Sequence, residues 1–524
     1  MKHKLPTHCF DVGVDVCCDA HACHAKPMRT ADKPLPVWRA SLRMALVTAV
    51  SVAAVGVIAT GMTGCADMSG IESKAVLRDA PSLGLPANGE PTPLVSAQWW
   101  EGFGDEQLNS LVAQALQSNP SLKIAQARLA RAQAVTEVAD AATLPQLGAQ
   151  FDATRQRYTA NGLVPPPLAG TIRETGMAQL NASWELDFFG KNRAALDAAL
   201  GSMHAAEADA EAARILLASN VVRSWFQLAR LGEQAAVANR TLAQRGETLK
   251  LVQDRVGAGL DTRLELRQSE GGLPEARLQL ESLNEQIALT RNALGALVGQ
   301  PDAALNTVPP KLAAIKNVAA ATAIPADLLG RRADITAARW RVEASVKDVA
   351  NAKTQFYPDI NLVALAGFSS IGLNRLFESG SQQWGVGPAL RLPIFDAGRL
   401  RANLRGKTAD LDAAVESYNA AVLDAVRDVA DQVASSQAVA RQQAEQRAAQ
   451  QAAEGAYDIA VQRYKAGLGN YLNVLTAETN VLAQRRGAVD LSARALDTQV
   501  GLIRALGGGY TPAQALPQTV AVTR

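Results

Sequence analysis

The residues of this chain that could bind a metal or act as nucleophiles are five cysteines and five histidines, and their placement is lopsided. His3, His8, Cys9, Cys17, Cys18, His21, Cys23 and His24 crowd the N-terminal end, a donor set that suits zinc. Beyond them the chain holds only Cys65 and His204. One thiol and one imidazole exclude a histidine metal cluster and internal disulfides from the rest of the chain, and a Cys65 consumed by the modification described next leaves no thiol for a thiol–histidine pair. Two other patterns hint at chemistry. Glu185 and Asp187 stand two apart in an alternating stretch, so a strand would turn both carboxylates to one side. That reads as a polar face rather than an acid–base pair. "LRGKT" (Leu404–Thr408) has the end of a phosphate loop, but the first glycine of that motif would fall at Arg401, and the segment lies in a helical pattern whose N–H groups are occupied. No enzyme activity follows from either.

Cys65 carries the covalent chemistry with the clearest context. Arg39 and Arg43 precede an apolar run, Met44–Thr60, of 17 residues, and "MTGC" (Met62–Cys65) follows at once. The run falls short of the ~20 residues of a membrane-spanning helix. Small residues before a cysteine after such a run resemble a bacterial lipobox, the signal for cleavage and lipidation at Cys65; Met62 stands where Leu is commoner. The expectation is a leader, 1–64, and a covalent lipid on Cys65 with no other cofactor. A retained single-pass anchor is the alternative. The Cys/His-rich stretch then lies upstream of the basic region where a leader begins, and a start at Met28 would give an ordinary one.

Composition points to what positions such an anchor. The 52 basic and 50 acidic residues give a net charge of +2, so nothing calls for nucleic acid or another polyanion. Only 5% of residues are aromatic, and Ala, Leu, Gln and Arg fill long stretches, the composition of long helices in close contact. Residues 65–97 read as the lipidated cysteine and an extended Pro/Gly-rich tether. A first repeat (98–300), a linker or equatorial segment (301–330), a second repeat (331–508) and a tail (509–524) follow.

The repeats are legible residue by residue. "RVGAGLDTRLELRQSE" (Arg255–Glu270) and "RYKAGLGNYLNVLTAE" (Arg463–Glu478) share six of sixteen positions. Leu122 matches Ile335 and Pro145 matches Pro358, both at an offset of 213. Gly190 matches Gly398, Gly259 matches Gly467, and Leu294 matches Leu502, all at 208. Each unit reads helix, β-hairpin (146–189; 359–396), very long helix (191–256; 399–465), turn and returning helix (260–298; 469–506). The proline-free long segments would be roughly 100 Å long at 1.5 Å per residue. Leu266, Leu273, Leu280, Ile287 and Leu294, with Ala276, Leu283, Thr290 and Leu297 three residues on, and Val474, Val481, Ala488, Ala495 and Leu502 in the second unit, keep a seven-residue spacing that implies supercoiled helices. Pro274 is expected to kink the first returning helix.

The hairpins carry the decisive pattern. Leu147, Ala149, Phe151 and Ala153 alternate with polar residues, as do Ala178, Leu180, Ala182, Trp184, Leu186 and Phe188. Ile360 to Phe368 and Trp384 to Ile394 follow the same alternation. Strands of about ten residues with one apolar face fit a transmembrane β-barrel, and also a half-buried sheet. Four strands cannot close around a lumen, and an open edge cannot sit in lipid, so a membrane barrel requires several copies. Two copies would give eight strands and a filled interior; three would give twelve and a passage.

With these features on the page, the chain resembles the TolC family of outer-membrane efflux ducts, in its lipoprotein (OprM- or NodT-like) branch. The resemblance rests on "WWEGFGDEQL" (Trp99–Leu108), "IPADLLGRRADI" (Ile324–Ile335), "LPIFDAGR" (Leu392–Arg399), "RYKAGLGNYLNVL" (Arg463–Leu475) and "LGGGY" (Leu506–Tyr510). Ala333 departs from the family's usual Pro. The resemblance implies a homotrimer: a twelve-stranded barrel in the outer membrane continuing into a hollow α-helical barrel across the periplasm. It further implies partners, namely a periplasmic adaptor, an inner-membrane pump and outer-membrane lipid. The two copied stretches would be helix–turn–helix tips, with Gly259, Leu260, Gly467 and Leu468 contacting the adaptor. Leu472 matches an apolar constricting residue of the periplasmic gate, while Asn473 and Thr476 stand where relatives often place acidic rings. The implied function is the passive exit duct of a tripartite efflux system. Alternatives are a type I protein-secretion duct and a periplasmic coiled-coil lipoprotein.

Overall fold

The computed structural model describes residues 68–78, 95–302, 307–308, 310–317 and 328–512. The Cys/His-rich stretch, the leader and Cys65 lie outside the described residues. The first repeat begins with a 3₁₀ turn at Trp99–Phe103, then α1 (Glu106–Ser118), α2 (Pro120–Ala141), β1 (Gln146–Arg157), β2 (Ile172–Glu185), α3 (Lys191–Gly257) and α4 (Arg263–Val298). The second repeat contains α5 (Ala333–Thr354), β3 (Asp359–Ile371), β4 (Gln382–Arg391), α6 (Arg399–Lys465) and α7 (Tyr471–Ala505). Helices α3 and α6 are each 67 residues long. α4 runs through Pro274 as one helix of 36 residues, so the expected kink does not divide it. α5 begins at Ala333 itself. That is the first helical position, where an N–H has no intrahelical partner and Pro or Ala serves equally.

The four strands form one antiparallel sheet in the order β1-β2-β3-β4. Phe151 faces Ala178, which faces Phe368; Leu180 faces Ala366, which faces Trp384. Directly paired residues share a face, so the apolar positions of all four strands fall on one side. That side is uncovered: Trp384 is 80% exposed, Leu147 74% and Phe151 66%. The opposite face carries amides that bind one another, with Gln179 donating to Asn181 (2.9 Å) and accepting from Gln383 (3.2 Å).

The main apolar core lies midway along α3, away from the sheet. Trp99, Trp100, Phe103, Leu108, Trp225, Phe226, Leu294 and Val500 are buried together. Asp105 organises it. One carboxylate oxygen caps α1 by accepting from the N–H groups of Gln107 and Leu108, and the other accepts from Trp225 Nε1 at 2.8 Å. In α4 the buried line runs through Ser269, Ala276 and Leu283. Ala276 and Leu283 belong to the expected seam, whose Leu294, Val474, Val481 and Leu502 are also buried, while Leu266, Leu273, Leu280 and Ile287 are half-buried. Residues 68–78 form an extended strap along α6. Ile71 is buried against Phe356, Leu400 and Leu404. Asp412 accepts from Ser73 Oγ and the N–H groups of Lys74 and Ala75. Asn419 then accepts from the Arg78 N–H and donates to the Val76 carbonyl.

Three successive glycines close the second repeat. Gly507, Gly508 and Gly509 all have positive φ, and a Cβ on Gly507 would lie 2.0 Å from the Arg331 carbonyl oxygen. Gly507→Ala is therefore expected to cost about 1–3 kcal/mol from backbone strain alone, with the clash in addition. Gly246→Ala, at an open helical position, is expected to stabilise by roughly 0.5–1 kcal/mol. Thermal unfolding followed by circular dichroism should move the two variants in opposite directions.

Candidate functional site

The two copied stretches form near-identical turns. α3 ends with Gly259 at φ 72°, where the Gly259 N–H donates to the Val256 carbonyl and the Leu260 N–H to the Arg255 carbonyl. α6 ends with Gly467 at φ 73°, with the Gly467 N–H donating to Tyr464 and the Leu468 N–H to Arg463. The left-handed backbone explains glycine at both positions. Each turn then starts a returning helix. Thr262 and Glu265 form a reciprocal capping box, and Asn470 Oδ1 accepts from the Asn473 N–H. The reversals leave Leu260 65% exposed and Leu468 69% exposed.

The residues read as a constriction lie on one side of α7. Leu472, Asn473 and Thr476 are exposed, while Tyr471, Val474 and Glu478 are buried on the other side. Thr476 Oγ1 donates to the Leu472 carbonyl at 2.9 Å, so its hydroxyl oxygen remains free to accept. This stretch presents neutral hydrogen-bonding groups and one leucine, without a carboxylate.

The structure adds polar residues that the sequence pattern did not single out. Asp261, in the first tip, accepts two hydrogen bonds from Arg255 (2.9 and 3.3 Å) and one from the hydroxyl of Tyr464, at the end of α6. The Arg255 guanidinium also sits 4.6 Å from the Tyr464 ring centre. The hydrogen bonds from Arg255 and Tyr464 hold the Asp261 carboxyl below the usual carboxylate range. Burial, and then the hydrogen bond to Asp261, push the Tyr464 hydroxyl up. A second cluster lies further along the helices, where Arg245 of α3 pairs with Glu275 of α4 (2.9 Å) and Glu478 of α7 (3.3 Å). Burial raises the Glu478 carboxyl despite this pairing. The available signal was divergence between the repeats. Asp261 corresponds to Gly469, Tyr464 to Val256, and Arg245 to Ala453. The two tips are joined through the positions where the copies differ.

The other chemical candidates are occupied structurally. Glu185 binds Lys191 at 2.8 Å, and Asp187 accepts from the Arg193 N–H at the start of α3. "LRGKT" lies inside α6, where Thr408 Oγ1 donates to the Leu404 carbonyl and Lys407 pairs with Asp348. Among the described residues no cluster of His, Cys, Asp and Glu could hold a metal. No helix among them is long and apolar enough to cross a membrane.

Comparison with known proteins agrees with this geometry. The family profile described as "Outer membrane efflux protein" matches residues 111–300 and 324–508, one segment per repeat. The chain is 33% identical over 469 residues to the multidrug resistance outer membrane protein MdtQ of Escherichia coli O6:H1, covering 86% of this chain and 96% of that protein. It is 36% identical over 366 residues to the fusaric acid resistance protein FusA of Burkholderia cepacia, covering 68% of each. The crystal structure of the outer membrane protein VceC from Vibrio cholerae superposes with a TM-score of 0.75 at 38% identity, covering 79% of this chain and 98% of that one. The outer-membrane channel OprN gives a TM-score of 0.73 at 27% identity, covering 84% and 97%. With the family profile covering both repeats and a relative matched over nearly its whole length, the chain belongs to the outer membrane efflux protein family.

Proposed function

We propose that three copies of the chain close a twelve-stranded barrel in the outer membrane, and that their helices form a tunnel across the periplasm. In this reading the protein is the passive exit duct of a tripartite efflux system for drugs or other small molecules. The observation that carries it is the pairing of an uncovered apolar sheet face with helices of 67 residues. An exposed apolar surface of that extent needs a lipid or protein neighbour. A sheet with two free edges needs further strands before it can enter lipid.

The tips are the end that would meet an adaptor, through Leu260 and Leu468 around Gly259 and Gly467. An inner-membrane pump supplies the energy. Leu472, Asn473 and Thr476 line the closed constriction in three copies each, and the Arg255–Asp261–Tyr464 cluster holds the two tips of one copy together against opening. A lipid on Cys65 tethers the upstream end of the strap to the membrane.

Insertion of the purified protein into planar bilayers tests the reading. Discrete channels from a trimer support it, and a soluble, detergent-independent protein supports a periplasmic coiled coil instead. Leu472→Ala should raise the conductance of the resting channel several-fold. Divalent cations on the tip side should leave the native conductance unchanged but block an Asn473→Asp, Thr476→Asp double variant. Cys65→Ala should reduce the amount delivered to the outer membrane while leaving the conductance of inserted channels intact.

Tyr464→Phe and Asp261→Asn should each lose about 1–3 kcal/mol of local stability at the tips, read as faster amide exchange over residues 255–264 and 463–471. Because the folded Asp261 carboxyl titrates below its usual value near ~3.9, its contribution is present above that pH and is lost as pH falls through the lowered value. The tips of the native protein should therefore loosen only in acid below about pH 4.

A further inference from the structure

Both long helices begin against the electrostatics of a helix. An N-terminus favours acidic side chains and disfavours cations. Yet α3 opens with Lys191 and Arg193, α6 opens with Arg399 and Arg401, and neither first turn holds an acid. The surroundings of these cations account for them. Where the strands meet the long helices, one cavity is lined by three carboxylates, Glu185, Asp187 and Asp359, and by three cations, Lys191, Arg391 and Arg399. Lys191 Nζ stands 2.8 Å from Glu185 and 3.7 Å from Asp359, and Asp359 lies opposite Arg391 in the strand register.

The strands keep the same balance. By register, Glu185, Asp359 and Arg391 share the amide-bearing face of the sheet with Gln179, Asn181 and Gln383. The other charges on that face are Asp152 and Arg173, again one of each sign. The connection over 158–171 carries no charged residue, and that over 372–381 carries Arg375 and Glu378. The exposed side of α7 read as the constriction is neutral as well, at Leu472, Asn473 and Thr476.

We propose that Lys191 sets the charge preference of the duct: with Arg391 and Arg399 it cancels the carboxylates where the sheet meets the long helices, and the passage accepts anionic and neutral solutes as readily as cations. The inference rests on the duct reading and adds the charge class of the cargo.

The spacing decides how far the field reaches. Opposite charges this close act as dipoles, whose field dies away faster than that of a lone charge, and salt of about 0.15 M screens what remains beyond about 8 Å. Without Lys191 each copy would present three carboxylates against two arginines at this level. Three copies would then place a net negative ring around the passage, and such a ring concentrates cations and repels anions. These groups are not sealed inside the wall. The side chains of Lys191, Glu185 and Asp359 are 37%, 25% and 35% exposed, enough for a passing solute to meet them.

Reversal potentials of the full chain in planar bilayers, across a KCl gradient, read the charge preference. The native channel should show potassium and chloride permeabilities within about twofold of each other. Lys191→Gln should shift the ratio several-fold toward potassium and Glu185→Gln should shift it toward chloride, both more strongly at low salt. Opposite shifts separate this role from a structural one, since a pair that served folding alone would weaken both variants and move neither ratio. A native channel that strongly favours one ion, or variants that keep the native ratio, would overturn the inference and leave the duct reading standing. A protein that forms no channel would remove both.

Discussion

The structure depends on one constraint: backbone N–H and C=O groups cannot be left unpaired in hydrocarbon. A single copy satisfies this only between β1 and β4, in that order, and stops with two free edges. Its apolar sheet face, around Trp384, Leu147 and Phe151, is uncovered. The amides on the opposite face bind one another through Gln179, Asn181 and Gln383. The sheet is thus dry on one side, wet on the other and unfinished at both ends. Such a surface is tolerable only as part of a larger wall.

The helices show a second tension, between repetition and divergence. Duplication provides two equal helices of 67 residues and two matching glycine turns. Perfect repetition would give two halves with the same polar contacts. Instead, each polar bridge between the first repeat and the α6–α7 half uses at least one residue that its repeat counterpart lacks: Asp261 with Tyr464, Arg245 with Glu478, and Arg230 with Asp490 at 2.8 Å. Their repeat counterparts include Gly469, Val256, Ala453, Ala438 and Ser282. The joint between the two halves of one copy is thus bound by charge at positions that repetition alone does not supply.

Much of this was legible in the sequence because it follows from periodicity and from glycine. Proline-free stretches and paired glycines mark the long helices to within a residue, 191–256 against Lys191–Gly257 and 399–465 against Arg399–Lys465. Alternation marks the strands because a single uncovered face leaves no reason for it to blur. The returning helices were legible in part. Ala276, Leu283 and Leu294 of the expected seams are buried, as are Val474, Val481 and Leu502 in the second repeat, while Leu266, Leu273, Leu280 and Ile287 keep the strict period yet are half-buried. The Asp261 cluster was invisible for a different reason. Its three members come from the end of one helix, a turn and the end of another, and no spacing rule connects residues 255, 261 and 464. The strap was likewise hidden, because its partners Asp412 and Asn419 lie more than 300 positions downstream.

That strap has a mechanical consequence. Residues 68–78 run parallel to α6 and are held at successive stations, by Ile71 in its apolar pocket, by Asp412 and by Asn419. A pull on Met68 along the axis of α6 therefore acts along the line of attachment, in shear. The stations must yield together rather than peel one after another. A rope laid along a mast behaves in the same way, and a pull applied at Met68 along the strap loads the shaft of α6 over the whole length of the attachment.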